Sequence, residues 1–383
     1  MPIAERTTLI APFYVMELLE KAKVMEARGE SIVHLEVGEP DFPTPQAIKE
    51  RAARSILENR TLYTHSLGIP ELRQQVARFY GDAHGLSIPA ERIIIVNGTS
   101  GAFLLLFGAL LSRGGALAVP DPGYPCYRNF GRLFDASIVS LPVTEEDHFE
   151  VTPDHLSDLQ GSPDLLVISN PSNPTGTLYD TRRLGALYEA LSRLGAPLVV
   201  DEIYSGLTYG RRPATALTIA DDIIVVDGFS KTFAMTGWRL GWMVVPEALV
   251  RPIQKIAQNV YISPPAISQY AALAAPDAAE DVAHMRTVYQ QRRDFFVPEL
   301  IRLGFTVPVF PEGAFYVYAG IERWGIDSMD FAERALEEAK VALTPGYDFG
   351  SFRAGSHVRF TYAANLDVLK EGCRRLEAWL KTL

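Results

Sequence analysis

The chain has 383 residues, 48% of them hydrophobic and 21% charged, which excludes a disordered or fibrous protein. With 36 basic against 46 acidic residues, the formal net charge is -10, a poor balance for a general nucleic-acid or anionic-membrane binder. The only two cysteines, Cys126 and Cys373, lie far apart, so neither a disulfide framework nor a metal-type spacing is expected.

From the start, Met1 to Ile10 lacks the basic stretch and apolar run of a signal peptide. The longest apolar stretch, Ala102 to Leu111, contains Gly108 and is too short to span a bilayer. A soluble cytoplasmic protein is therefore expected, long enough for two lobes. Phe13 to Arg28 has the spacing of one amphipathic helix, which suits packing on either lobe. The middle of the chain then alternates helical patterns with short β-rich runs. These are Arg92–Val96, Ala116–Val119, Leu165–Ser169, Pro197–Val200 and Ile223–Val226. They are almost wholly apolar, as strands are when helices cover both faces of a parallel sheet. A long helical pattern follows from about Glu280 to Arg302. After it come strand-like pieces at Phe305–Val309, Phe315–Tyr318 and His357–Tyr362, then a final helix. The expected fold is α/β: a large domain over residues 45–275 with a mostly parallel central sheet covered by helices. A smaller α+β domain is expected from residues 276–383 together with the N-terminal segment 1–44.

Ligands of open parallel sheets bind beyond the carboxyl ends of the strands. Five strand ends here carry chemistry. The first run leads into Asn97-Gly98-Thr99-Ser100-Gly101, a small-residue loop opening a helix and suited to an anion such as phosphate. Thr99 or Ser100 would alternatively be a plain helix cap. The second leads to Pro122-Gly-Tyr124-Pro, the third to Asn170-Pro-Ser-Asn173-Pro-Thr-Gly176, the fourth to Asp201-Glu-Ile-Tyr204 and the fifth to Asp227-Gly-Phe-Ser230-Lys231. Lys231 in an apolar, partly cationic pocket would lose its proton readily and attack carbonyls. Arg239, eight positions on, suits a phosphate and would depress the lysine's pKa by like charge. Asp201 suits a protonated pyridine nitrogen, and a Schiff-base lysine with such an aspartate is the pyridoxal-phosphate pattern.

These motifs together resemble class I/II aminotransferases of PLP fold type I, with the stretches Gly38-Glu-Pro-Asp-Phe-Pro-Thr-Pro45 and Tyr63-Thr-x-x-x-Gly68-x-x-Glu-Leu-Arg73 adding to the likeness. The resemblance runs from about Leu35 nearly to the C-terminus. It implies pyridoxal 5'-phosphate as cofactor, with Lys231 forming the Schiff base and carrying the proton, and Asp201 pairing with the pyridine nitrogen. Tyr204 and Asn173 would bind the ring hydroxyl oxygen, and Tyr124 would stack on the ring. Gly98, Thr99, Ser100 and Arg239 would hold the phosphate, and Tyr63 would reach it from the second subunit of a homodimer. Arg359 would grip the substrate α-carboxylate, and Gly38 would line the pocket through its backbone. The implied reaction is ping-pong transfer of an amino group from an L-amino acid to a 2-oxo acid.

The resemblance has one gap. The family often carries Ser or Thr three residues before the lysine, where this chain has Gly228; Ser230 is a candidate replacement. A carbon–sulfur lyase or synthase on the same scaffold is the alternative, because the ring-binding residues serve several chemistries. A nicotinamide dehydrogenase would need the absent G-x-G-x-x-G fingerprint. A regulator would need a DNA-binding module ahead of the first motif. Gln258 to Pro265 lacks the arginine that some dicarboxylate-specific relatives place there. Phe13, Tyr14, Tyr261 and Tyr347 are candidates for an aromatic side-chain pocket, although core or interface packing is the preferred reading of them.

Overall fold

The structure is a computed structural model, and it describes residues 1, 3–157, 159, 161–210 and 213–383. Its strands, in chain order, are β1 (Val33–His34), β2 (Ile93–Val96), β3 (Ala116–Asp121), β4 (Ser137–Pro142), β5 (Leu165–Ser169) and β6 (Leu198–Asp201). They continue as β7 (Ile224–Gly228), β8 (Gly241–Val244), β9 (Tyr316–Gly320), β10 (Val341–Ala342), β11 (Thr344–Pro345) and β12 (His357–Thr361).

A seven-stranded sheet in the order β2-β8-β7-β6-β5-β3-β4 forms the centre. All its strands run parallel except β8, which is antiparallel to both neighbours. The fold class is thus the expected α/β one, and all five expected runs are strands. Every residue of β2, β5, β6 and β7 is buried, because side chains alternate into two apolar cores. Ile93, Ile95, Ile168, Val200 and Val225 enter one core, and Ile94, Val96, Val167, Val199 and Val226 enter the other.

Two strands of this sheet have no counterpart in the sequence reading. β4 is an edge strand with a mixed burial pattern, so its sequence lacks a continuous apolar run. β8 is short and opens on a glycine. The expected strand at Phe305–Val309 does not form: Thr306 makes an isolated bridge to Gly320, and Pro308 has no N–H for a ladder. The long helix spans Ala279–Leu303 and the last helix Leu366–Leu380.

A three-stranded antiparallel sheet, β11-β12-β9, and the short parallel pair β1-β10 share a third core. The N-terminal helix Tyr14–Ala27 joins this core through Leu18, Ala22 and Met25. Ile203, Tyr204, Leu207 and Tyr209 enter it too, from the segment that follows β6. The carboxyl end of the large sheet therefore abuts the smaller one.

Candidate active site

Because β2, β3, β5, β6 and β7 are mutually parallel, the five chemistry-bearing strand ends lie on one edge of the sheet. Asp201 is the last residue of β6, in register with Ser169 of β5 and Val226 of β7. It is 3% exposed, and burial raises its pKa to about 6. Three contacts oppose that rise: the Tyr127 hydroxyl donating to Oδ2 at 2.6 Å, the Ile203 N–H donating to Oδ1 at 3.2 Å, and the field of Lys231.

Lys231 lies in the short helix Phe229–Thr232 directly after β7. Its Nζ donates to the Gly38 carbonyl at 2.5 Å and stands 6.0 Å from the Phe315 ring centre. Burial is the largest cause lowering its pKa to about 8; Arg359 and Arg239 lower it further, against Glu39 and Asp201. The expected like-charge effect of Arg239 is present but secondary.

Gly98 opens the helix Gly98–Leu110 with φ +69°, so Thr99 and Ser100 lie in its first turn and Asn97 takes the cap position. A Cβ on Gly98 would meet the Arg239 guanidinium at 2.7 Å, so glycine is what lets the arginine approach the helix start. Arg239 is held by a bond to the Thr236 carbonyl at 2.9 Å. Ser230 is buried beside the lysine. Gly228, where the family often has a hydroxyl, is tightly enclosed: a Cβ there would meet the Gly241 Cα and the Ile203 Cδ1 at 3.1 Å, so a side chain would require its neighbours to shift.

On the opposite wall, Arg359 sits in β12, 4% exposed. Its guanidinium donates to Asn173 Oδ1 at 3.0 Å, to the Glu36 carbonyl at 2.6 Å and to Thr344 Oγ1 at 3.3 Å, and lies over the Tyr316 ring at 4.2 Å. Its Nε has no partner among the described residues, leaving one buried donor open. The Tyr204 and Tyr316 hydroxyls are 2.7 Å apart. Tyr124 packs edge-on against Tyr127, ring centres 5.2 Å apart.

Lys231, Gly38, Asp201, Tyr204, Tyr124, Asn173, Arg359, Gly98 and Arg239 thus stand around one site. Tyr63 does not join them within the chain: it is 79% exposed. Tyr347 turns outward to hydrogen-bond Asp327 at 2.9 Å. Cys126 is a packing residue beside Tyr124, its thiol pushed up by burial. Two site residues escaped sequence reading, Tyr127 and Tyr316. The signal for Tyr127 was its place three residues after Tyr124 on one helix; Tyr316 sits in a run that reads only as a strand.

A half-buried amine of lowered basicity, with a buried carboxylate and two guanidiniums around it, defines an enzyme of carbonyl–amine chemistry. Comparison with known proteins specifies the class. The family model of aminotransferase class I and II matches residues 30–376. The valine–pyruvate aminotransferase of Mycobacterium tuberculosis is 35% identical over 97% of both chains. The aspartate aminotransferase of Geobacillus stearothermophilus is 34% identical over 100% of this chain and 99% of that one. Among solved structures, an aminotransferase from Mycobacterium tuberculosis superposes with a TM-score of 0.97 at 34% identity, covering 100% of both chains. The aspartate aminotransferase of Thermotoga maritima does so with 0.93 at 31% identity, over 99% of this chain and 100% of that one. The chain belongs to the class I and II aminotransferase family and is an aminotransferase.

Proposed function

We propose that this aminotransferase binds pyridoxal 5'-phosphate at Lys231 and moves the amino group of an L-amino acid to a 2-oxo acid by a ping-pong sequence. The residues present fit that cofactor. Asp201 is a buried carboxyl with no arginine or lysine bonded to it among the described residues, and Gly98 leaves a cradle at a helix N-terminus next to Arg239. When bound, the cofactor supplies an aldehyde for the amino group and an electron-accepting ring beside the substrate α-carbon.

The chain's own residues divide the remaining work. Asp201, a carboxylate whose charge Tyr127 and Lys231 favour, would keep the pyridine nitrogen protonated. Tyr204 and Asn173 would bind the ring hydroxyl, and Tyr124 would cover the ring. Gly98, Thr99, Ser100, Ser230 and Arg239 would hold the phosphate. Arg359 holds the substrate carboxylate through its open Nε and its terminal nitrogens, while the Gly38 carbonyl borders the pocket. The Lys231 Nζ, neutral at mildly alkaline pH, is the group that would carry the substrate's α-proton.

The observation that carries this reading is the placement of Lys231 directly after β7, its Nζ bonded to the Gly38 carbonyl and within the fields of Asp201, Arg239 and Arg359. A homodimer, in which Tyr63 of the partner subunit reaches the phosphate, accounts for the exposure of that ring. No helix among the described residues is long and apolar enough to cross a membrane, which accords with the cytoplasmic location proposed here. The test is a screen of amino donors against pyruvate and 2-oxoglutarate with the cofactor-loaded protein. Parallel double-reciprocal lines are expected, and intersecting lines would overturn the ping-pong sequence.

A further inference from the structure

The N-terminal helix starts without a cap of its own. Tyr14–Ala27 follows Phe13, whose side chain offers no acceptor to the free N–H groups of the first turn. A residue from the far end of the chain supplies one. Asp348 accepts from the Tyr14 N–H at 2.8 Å on Oδ1 and from the Val15 N–H at 3.0 Å on Oδ2. It is only 3% exposed.

The turn that carries Asp348 is fixed from two sides. Arg128 donates to the Asp348 carbonyl at 3.3 Å and to the Phe349 carbonyl at 2.9 Å. The Gly123 N–H, next to Tyr124, also donates to the Phe349 carbonyl, at 2.8 Å. On the other side, the Phe349 ring lies 4.9 Å from the Arg359 guanidinium, and Thr344, just before the turn, accepts from Arg359. One buried carboxylate thus joins the start of the N-terminal helix to the surroundings of Arg359.

We propose that Asp348 is a positioning residue that sets side-chain specificity: it holds Phe13–Val15 as an apolar wall beside Arg359 and selects amino acids with uncharged, apolar side chains. The proposal rests on the reading of Arg359 as the substrate-carboxylate residue. Two features point the same way. The held segment begins with Phe13 and Tyr14, and Phe13 is 36% exposed rather than sealed in a core. The clasp is itself an acid, and a second substrate carboxylate near it would meet like charge.

The charged and titratable groups facing Asp348 are Arg359, Arg128 and the Cys126 thiol. Burial raises its pKa to about 6, so the charged, doubly accepting form holds the helix above that pH and is lost as pH falls through it.

The test uses the cofactor-loaded enzyme and the straight-chain monocarboxylates from acetate to hexanoate, with Kd by calorimetry and amide hydrogen exchange read at Tyr14 and Val15. The wild type should bind each longer acid about threefold more tightly, the order expected for burying a methylene. Asp348→Asn should exchange both amides at least ~10-fold faster, a rough figure for losing a charge-assisted bond, and should flatten that gradient. Comparing chain lengths cancels any general change in the field at Arg359. A retained gradient in Asp348→Asn, protected amides, or no gradient in the wild type would overturn the proposal. Should Asp348→Asn fail to fold, wild-type exchange decides: protection at Tyr14 and Val15 must drop between pH 7 and 5, and constant protection contradicts the clasp. The underlying reading of Arg359 is checked separately, because Arg359→Lys must weaken acetate itself. Unchanged acetate binding there refutes the role of Arg359 whatever the gradient.

Discussion

The Tyr127 hydroxyl donates a 2.6 Å hydrogen bond to Oδ2 of Asp201, so the carboxylate proposed to face the cofactor ring is itself held ionised from behind. This bond acts against burial, which pulls the Asp201 pKa up. Tyr127→Phe removes a bond to the charged form. The acid limb of the kcat/KM profile should then move to higher pH by about one unit, a bond to a charged group being worth ~1.5–3 kcal/mol before relaxation. An unmoved limb would show that Asp201 is set by other contacts.

Asp201 also illustrates a site that costs stability. Its folded pKa, about 6, lies above the ordinary value of 3.8. The unfolded chain therefore releases this proton first as pH rises, and the group's contribution to stability falls between those two values and stays low above 6. Asp201→Asn should lose about a hundredfold or more in kcat, in line with removal of a group that stabilises developing charge. Its Tm in the cofactor-free state at pH 7 to 8 should equal or exceed that of the wild type. A marked fall in Tm would mean that the carboxylate is a structural anchor.

Lys231 has the opposite sign of charge and the opposite pH window. Its folded pKa of about 8 lies below the ordinary 10.5, so the destabilising effect of its burial is fully present below pH 8 and relieved between 8 and 10.5. In the cofactor-free chain, reductive methylation should modify Lys231 with a midpoint near pH 8, well ahead of exposed lysines. Equal rates at all lysines, followed by peptide mass mapping, would contradict the lowered basicity.

Arg359 already makes three bonds within the protein and keeps one buried N–H open. Lysine would reach with a single ammonium and lose the planar fork. Arg359→Lys should raise KM for the amino donor about tenfold to a hundredfold, the equivalent of one charge-assisted hydrogen bond. The same KM with a reduced kcat would place the residue elsewhere in the reaction.

Tyr63 is 79% exposed, so its removal should leave the fold unharmed. Tyr63→Ala is expected to release the cofactor more readily on dialysis while keeping its Tm without cofactor. Unchanged retention would remove the proposed contact across the dimer.

Much of this was legible in the sequence because the relevant signals are local. Runs such as Leu165–Ser169 and Ile223–Val226 are apolar through and through, and the residues just beyond them are polar or small. Parallel strands then bring those ends to one edge without further instruction. What was not legible depends on contacts remote in the chain. Tyr127 meets Asp201 and Tyr316 meets Tyr204 across 74 and 112 positions; the one local mark is the place of Tyr127 three residues after Tyr124, and Tyr316 has none. The clasp of Asp348 on Tyr14 spans 334 positions and looks in sequence like a turn aspartate. Edge strand β4 and the bridge at Thr306 fail for a different reason: partial exposure and a proline blur the alternation that identifies a strand.

The central claim, that one amine of this chain carries the cofactor, has a direct chemical test. The protein is loaded with pyridoxal 5'-phosphate, reduced with borohydride, digested, and its peptides are weighed. The account predicts a single phosphopyridoxyl peptide containing Lys231, with no such adduct when position 231 is alanine. A label spread over surface lysines, or one fixed on another residue, would contradict it.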